Sequence, residues 1–547
     1  MQSLLVQLER LQEISSTAGV SNDNNLDSTN LLHVPANDDG MPDSSANLPP
    51  LESLQNDPVT LSAMDVNNKP SSDDLSRDKH YRFGAMSDTV RFFGSSSVLN
   101  LTTFVLQFAE RNSLISPQDV STHRPSLGPS DPSCQETPSS PPLAKETIQT
   151  HIKAFFASFG FLGFIDATTI EQHDLPTYMT TRQNKTRSSE LHGQTAYQYF
   201  FISMICAVGC ASRARHHPQL AVSSVLFYED AKACIEEVTS TVSAQSLQAL
   251  LLLTCHCLFY PTEGDVWRLL GFCSRLCVEL GYHAEPVEAT MAGTAAASFQ
   301  RATFRTVYVL EKLVSQTLGR CSDLPESIVT IALPAPESVT GPTTMLYRLL
   351  QLRSRIYDTL YMPALAPEVH VGWYERQHND LSAWKTEFDA QTGADVPSLL
   401  SETLYHSTIC LLFQSQLMSA LNNHSTPHTL TQNNYTSACA LIRHYSRILS
   451  APEDSADGSY PFTFISSHSA FSAAMTIMAH ALLSLFRSAE VEIGQKIDFK
   501  ELWEVSNSAL LLLAWCAERW PGMRCVVDWY KRLADRVLPL MFRRGLI

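Results

Sequence analysis

The stretch from residue 246 to residue 283 constrains the fold most strongly, because its pattern predicts two helices joined by a short turn. Ser246 is placed to cap the first helix and Pro261 to end it. Asp265 is placed to cap the second helix, and Gly281 supplies the left-handed turn that closes it. The pattern predicts an antiparallel helical hairpin with a buried face. That face comprises Val266, Leu269, Leu270, Cys273, Leu276, Cys277 and Leu280.

Helical periodicity continues along most of the chain after residue 143. Apolar side chains recur at helical spacing over residues 148–164 and 196–214, and no segment shows the alternation of a half-buried strand bounded by hairpin turns. On the polar face of the hairpin, Arg275 and Glu279 are four residues apart, which predicts a solvated ion pair. The sequence therefore predicts an all-α, multi-helical fold.

The first 142 residues differ in composition from the helical part. Ser, Asn, Asp and Pro dominate the region before His80, and seven prolines between residues 117 and 142 exclude a helix there. These shifts predict a short amphipathic helix at 1–14, a disordered acidic tail at 15–80, the start of the helical region at 81–115, a Pro- and Ser-rich linker at 116–142 and an all-α domain at 143–547.

Three leucines of the first helix form a candidate dimer seam. Leu4, Leu8 and Leu11 recur at spacings of four and three, as in a coiled coil that is barely two heptads long. The same pattern fits an amphipathic helix that docks on its own protein, since isolated helices of this length are marginal in water. We expect a weak homodimer at most.

The charge balance excludes several classes of protein. With 39 Lys and Arg against 55 Asp and Glu, the net charge is −16, and the longest basic cluster is Arg213, Arg215, His216 and His217. A binder that relies on phosphate contacts needs a larger basic surface. The apolar runs at 247–260 and 509–515 fall short of the roughly 20 residues of a membrane helix. The sequence predicts no membrane contact and no specific DNA binding by this chain alone.

Cysteine spacing raises the question of zinc. The chain has 13 cysteines, and Cys206 with Cys210, and Cys273 with Cys277, are four apart, so each pair shares a helix face. Two further ligands would have to converge on either pair, and His256 and Cys257 point to different sides of their helix. The pattern favours buried, reduced cysteines that pack as apolar side chains, with no metal ligands and no cofactor in this chain.

Four segments, in the expected order over residues 83–540, resemble the fungal-specific transcription factor regulatory region, the middle homology region of zinc-cluster factors. The strongest is the run from Asp265 to His283, and the others are Arg91-Phe-Phe-Gly94-Ser-Ser-Ser97, the stretch 304–334, and the stretch 510–540 with Ala517-Glu-Arg-Trp520-Pro521. Departures include Tyr282 for the usual Leu and Cys321 for the usual Pro. The structural signature residues that the resemblance indicates are Trp267, Gly271, Arg275, Gly281, His283, Gly319 and Arg320.

The resemblance implies a nuclear regulator of RNA polymerase II transcription that controls a metabolic or secondary-metabolite gene set. It also implies a six-cysteine zinc cluster near the N-terminus, yet the first cysteine here is Cys134. Either the cluster was lost or it lies in an exon missing from the gene model, and DNA would then be reached through that missing module or through a partner. The expected partners are the transcription machinery or another transcription factor.

Two alternatives stay open at the level of sequence. The first is a helical scaffold that does not bind DNA but pairs with full-length factors. The second is an all-α enzyme, against which stands the lack of clustered acids in the helical part and of nucleophile-elbow, phosphate-loop or zinc-protease motifs. We expect no catalytic residues, and we expect Trp267 and Gly271 to pack against a neighbouring helix.

Overall fold

The computed structural model describes residues 80–81, 91–115, 144–261, 265–285, 295–331, 342–362, 370–391, 395–422, 432–486 and 497–543. The expected helix at 1–14, with Leu4, Leu8 and Leu11, lies outside these residues. So do the linker at 116–142 and, apart from its last residue, the tail at 15–80. The weak homodimer therefore stays a prediction.

The described chain is helical almost throughout, which confirms the all-α prediction. Its β-structure is one antiparallel pair of two-residue strands, β1 (His80–Tyr81) and β2 (Arg91–Phe92). The α-helices in chain order are α1 Val98–Arg111, α2 Lys145–Phe159, α3 Ala167–Thr169, α4 Leu175–Gln183, α5 Gly193–Arg213, α6 Leu220–Lys232, α7 Ile235–Thr239, α8 Ala244–Phe259, α9 Val266–Glu279, α10 Ala295–Leu318, α11 Pro342–Tyr361, α12 Val371–Asp389, α13 Val396–Asn422, α14 Gln432–Ser450, α15 Ala456–Ser459, α16 Phe464–Phe486, α17 Phe499–Arg519 and α18 Arg524–Arg543.

The helices pack in two groups within one compact unit, residues 78–547. In the first group α5 lies against α2, α6 and α8, and α9 packs on α8. In the second group α16 lies among α1, α13, α14, α17 and α18. Helix α10 contacts α9, α11 and α16, so it connects the groups.

Each group is built around a helix that is buried on nearly every side. Helices α5 and α16 are long and apolar enough to cross a membrane by length and composition, but 78% of the most apolar window of each is buried inside the protein. A helix that is hydrophobic all round is the expected centre of a packed core. The sequence predicts a helix at 196–214, where α5 lies, but the apolar stretch that forms α16 was not singled out.

The predicted hairpin is present as α8 and α9, with one change at its first cap. The Asp265 side chain accepts a hydrogen bond from the Arg268 amide, as expected for the cap of α9. Helix α8, however, begins earlier than predicted, and Ser243 rather than Ser246 caps it by accepting from the Ser246 amide. Gly281 has a φ of +74° and closes α9, and the Tyr282 amide donates to the Cys277 carbonyl.

Helix α1 lies with the second group although it comes early in the chain. It packs on α13 and α16, and the Arg111 guanidinium donates to the carbonyls of Leu421 and Asn422 at the end of α13. A cation at that position satisfies helix-end carbonyls and complements the helix dipole. The segment before α1 contains Gly94 of the resemblance. It thereby lies close to residues that come more than 200 positions later in the chain.

Candidate functional site

Two of the resemblance segments meet through their glycines. The Gly94 amide donates to the Leu318 carbonyl over 3.3 Å, and Gly319 has a φ of +73°. A Cβ atom added at Gly94 would lie 2.0 Å from the Gly319 carbonyl oxygen, and one added at Gly319 would lie 2.7 Å from the Gly94 backbone. Only two glycines allow this approach of backbone to backbone.

Arg320 follows this contact and lies between two aromatic rings. Its guanidinium carbon is 4.7 Å from the centroid of Trp267 and 5.9 Å from that of Phe93. Both distances fall within the range of cation–π attraction. The Tyr357 hydroxyl donates to the Arg320 carbonyl over 3.0 Å. Arg320 thus joins the hairpin, the Gly94 segment and α11.

The structure changes the roles expected for three signature residues. Trp267 buries much of its side chain, as expected, but its ring lies against the Arg320 guanidinium, which comes from the loop after α10. At Gly271 an added Cβ would meet the Asp323 carboxylate at 3.1 Å. A side chain from the loop after Gly319 therefore lies where a neighbouring helix was expected. Arg275 lies over the Phe272 ring, 5.0 Å from its centroid, in place of the predicted ion pair with Glu279.

The turn that carries Gly281 and His283 docks on later segments through its backbone. The amides of Thr330 and Ile331 both donate to the His283 carbonyl over 3.1 Å. The Gln300 amide group donates to the Gly281 carbonyl over 3.3 Å. The main chain of this turn, rather than the His283 ring, makes these contacts.

Two buried charged residues hold the loop after Gly319. Glu311 and Lys312 are 1% and 2% exposed. The Glu311 carboxylate accepts from the Ser315 hydroxyl, the Ser322 hydroxyl and the Asp323 amide at 2.8–3.0 Å. Burial raises the pKa of Glu311, and nearby Lys312 and the donated hydrogen bonds oppose that shift. Lys312 in turn donates to the Ser322 hydroxyl and to the carbonyl of Leu324.

The last resemblance segment connects the two helix groups. Trp520 follows α17, is 4% exposed, and donates its indole N–H to the Phe259 carbonyl at the end of α8 over 2.9 Å. Its ring packs near Phe462, Phe464 and Trp515. The resemblance segments therefore contact one another or other helices that are distant in sequence.

An apolar cavity lies between the helix groups. Phe159, Leu310, Leu404 and Tyr460 are among its lining residues, and its free space is about 70 Å³. Since a water molecule takes roughly 30 Å³ and ligand pockets measure roughly 300–1,000 Å³, this space is too small for a metabolite without rearrangement. The cavity does not support a particular small-molecule effector.

The cysteine pairs are buried and lie within the helical cores. Burial raises the pKa of Cys210, Cys273 and Cys277, in each case to about 12, so these thiols remain protonated. His256 stacks between Tyr228 and Tyr260, with ring centroids 4.4 and 4.9 Å away, and burial lowers its pKa to about 3. Both observations fit side chains that pack in the core.

Three other side chains that can bind a metal ion converge, and none of them was predicted from the sequence. Among the residues that the structure describes, Glu402, His406 and His444 bring three ligand atoms within 4.8 Å of one another. The signal available in sequence was the spacing of four between Glu402 and His406 on one helix face. The third donor lies on another helix, and nothing in its local sequence indicates the pairing.

Comparison with known families identifies part of this architecture. Residues 152–361 match the model of the fungal specific transcription factor domain. The match includes the hairpin, Trp267 and the Gly319–Arg320 turn, but it covers less than half of the chain. The segments around Gly94 and Trp520 lie outside it.

Curated relatives match over part of the chain. Pyrimidine pathway regulatory protein 1 of Saccharomyces cerevisiae is 23% identical over 243 residues, which are 39% of this chain and 26% of that protein. Protein STB5 of the same yeast is 26% identical over 30% of this chain and 23% of its own length. Transcription factor FBD3 of Gibberella moniliformis is 27% identical over 22% of this chain and 16% of its length. The chain spans about a quarter or less of these relatives.

A solved structure is similar over most of the fold. The K. lactis CBF3 core covers 82% of this chain and 94% of its own chain, with a TM-score of 0.51 and 12% sequence identity. At that identity the likeness establishes the arrangement of helices alone.

Proposed function

We propose that this chain, whose residues 152–361 carry the fungal specific transcription factor domain, is a fungal regulator of transcription that acts in the nucleus. The family match is the observation that carries the proposal. Relatives whose names describe a pathway regulator and a transcription factor support it. No enzyme is among the relatives described above.

The helical region would act as the regulatory part of such a factor. Residues of the resemblance segments connect distant parts of the fold, with Gly94 against Gly319 and Trp520 against the end of α8. A body held together in this way is suited to restrain or expose surfaces that contact the transcription machinery or another transcription factor. The gene set would be a metabolic or secondary-metabolite pathway.

A tethering assay tests this function. The full chain is fused to an unrelated DNA-binding domain in a fungal host that carries a reporter under the matching operator. We expect reporter RNA to change several-fold relative to the DNA-binding domain alone, upward for an activator and downward for a repressor. Unchanged reporter RNA, with the fusion present in the nucleus at the control level, would count against the proposal.

We expect the purified 547-residue chain to give no sequence-dependent shift of DNA in a gel at moderate salt. The net charge is −16, and the longest basic cluster is used internally. Arg213 and His217 both bind Glu453, while Arg215 donates to the carbonyls of Asp457 and Gly458. DNA would then be reached through a cysteine-cluster module or a partner factor. Tight binding that depends on the DNA sequence would overturn this expectation.

A further inference from the structure

The three donors Glu402, His406 and His444 lie on neighbouring helices in an arrangement that suits a metal ion. Glu402 and His406 are four residues apart on α13, so they share one helix face. His444 comes from α14, which packs against α13. Because two packed helices carry the ligands, the backbone positions of the three residues are set by the core.

The distances are close to those of an assembled site. The His444 Nε2 atom is 3.6 Å from the Glu402 Oε1 atom, and all three ligand atoms lie within 4.8 Å of one another. Zinc bonds to imidazole nitrogen and carboxylate oxygen are about 2.0–2.2 Å long, so a tetrahedral site places its ligand atoms roughly 3.3 Å apart. A closure of the donors by up to about 1.5 Å, within reach of side-chain rotation, would complete the geometry.

One ring nitrogen of His406 is free of competing hydrogen bonds, since its buried Nδ1 atom has no hydrogen-bond partner in the structure.

The surrounding charges leave the carboxylate available. Lys385 lies 3.8 Å from the Glu402 Oε1 atom, but it also binds Asp389, so it keeps a partner if a metal ion takes its place at Glu402. Arg447 is similarly paired with Asp457 over 2.9 Å. The side chains of His444 and Glu402 are 16% and 28% exposed, so the group is in contact with solvent.

We propose that Glu402, His406 and His444 form a binding site for a divalent transition-metal ion of the zinc class, with a fourth position open to water. Two imidazoles, one carboxylate and one water make a ligand set that Zn²⁺ commonly adopts. The site is independent of the regulatory function proposed above. It differs from the expectation that the helical region holds no metal ligands, because that expectation was drawn from cysteine spacing.

The test is a calorimetric titration of the metal-free, untagged full chain with Zn²⁺ alone. We expect one equivalent to bind to the wild-type chain, with an affinity roughly tenfold or more lower in His406→Ala and in His444→Ala. The matched control is His192→Ala, since His192 lies 3.4 Å from Glu237 and no third donor converges there among the described residues. That control should bind zinc as the wild type does.

A second variant and probe separate loss of the site from loss of the fold. Glu402→Gln keeps the side-chain volume but removes the charged ligand, and the visible spectrum of bound Co²⁺ reports on coordination by nitrogen and oxygen. Zinc binding equal to wild type in all three site variants would overturn the proposal. So would a wild-type chain that takes up no zinc or that gives the Co²⁺ spectrum of the free hydrated ion.

Discussion

Gly319→Ala is expected to lower the free energy of unfolding by about 2 to 5 kcal/mol. A left-handed backbone costs an L-residue about 1 to 2 kcal/mol, and forcing an atom into a packed contact adds about 1 to 3 kcal/mol. Gly319 has a φ of +73°, and its added Cβ would lie 2.7 Å from the backbone of Gly94. The measurement is the urea unfolding curve at neutral pH.

Gly281→Ala is the matched control for this prediction. Gly281 has a φ of +74°, and an added Cβ would meet no atom within 4 Å. It therefore reports the backbone cost alone, about 1 to 2 kcal/mol. Equal losses in the two variants would show that the contact of Gly94 with Gly319 contributes nothing to stability.

Glu311→Ala is expected to cost about 3 to 5 kcal/mol, because each buried donor that loses its acceptor costs about 1 to 3 kcal/mol and the Glu311 carboxylate accepts from three donors. The Asp323 amide and two serine hydroxyls would lose their acceptor, whereas Lys312 would keep the Glu326 carboxylate, which lies 3.4 Å from its amine. Thermal and urea unfolding measure the loss. Glu311→Gln, which keeps an acceptor oxygen, should lose less.

The control for that prediction is a surface glutamate. Glu229 pairs with Lys232 three residues away, with the side chains 52% and 37% exposed, so Glu229→Ala should change stability by no more than about 1 kcal/mol. A Glu311→Ala chain as stable as the Glu229→Ala chain would contradict the role given to the buried network.

Local features of the fold were predictable from the sequence because they depend on neighbouring residues. The apolar spacing of α9, its cap at Asp265 and its closing turn at Gly281 all act within a few residues, and each is present. The cap of α8 was misplaced because Ser243 and Ser246 are both suitable residues and only the geometry selects between them. Periodicity thus located the helices better than their ends.

The contacts between segments that are distant in sequence were not predictable from single residues. Gly94 and Gly319 are 225 positions apart, and a glycine signals permissive backbone without naming its partner. Trp267 was expected to pack its ring against a neighbouring helix, and nothing in the sequence indicates that Arg320 lies over that ring. The resemblance named most of these residues, and the structure explains why they occur together.

The candidate metal site shows the same limit. Glu402 and His406 have a visible spacing on one helix, but His444 lies 38 positions later on another, and its convergence depends on how α13 and α14 pack. Cysteine spacing indicates α5 and α9 as the places to consider for zinc, but the thiols there are buried and protonated. The spacing within α13 therefore indicates two of the ligands, whereas the third is known only from the packing of α14 against α13.

Sequencing of RNA after rapid depletion of the protein tests the regulatory function most directly. Within the first minutes after depletion, before secondary effects accumulate, we expect the transcripts of a restricted gene set to change together. Depletion of an unrelated nuclear protein in the same way is the control. Transcript levels that match this control, after the protein has been lost from the nucleus, would contradict a role in transcription.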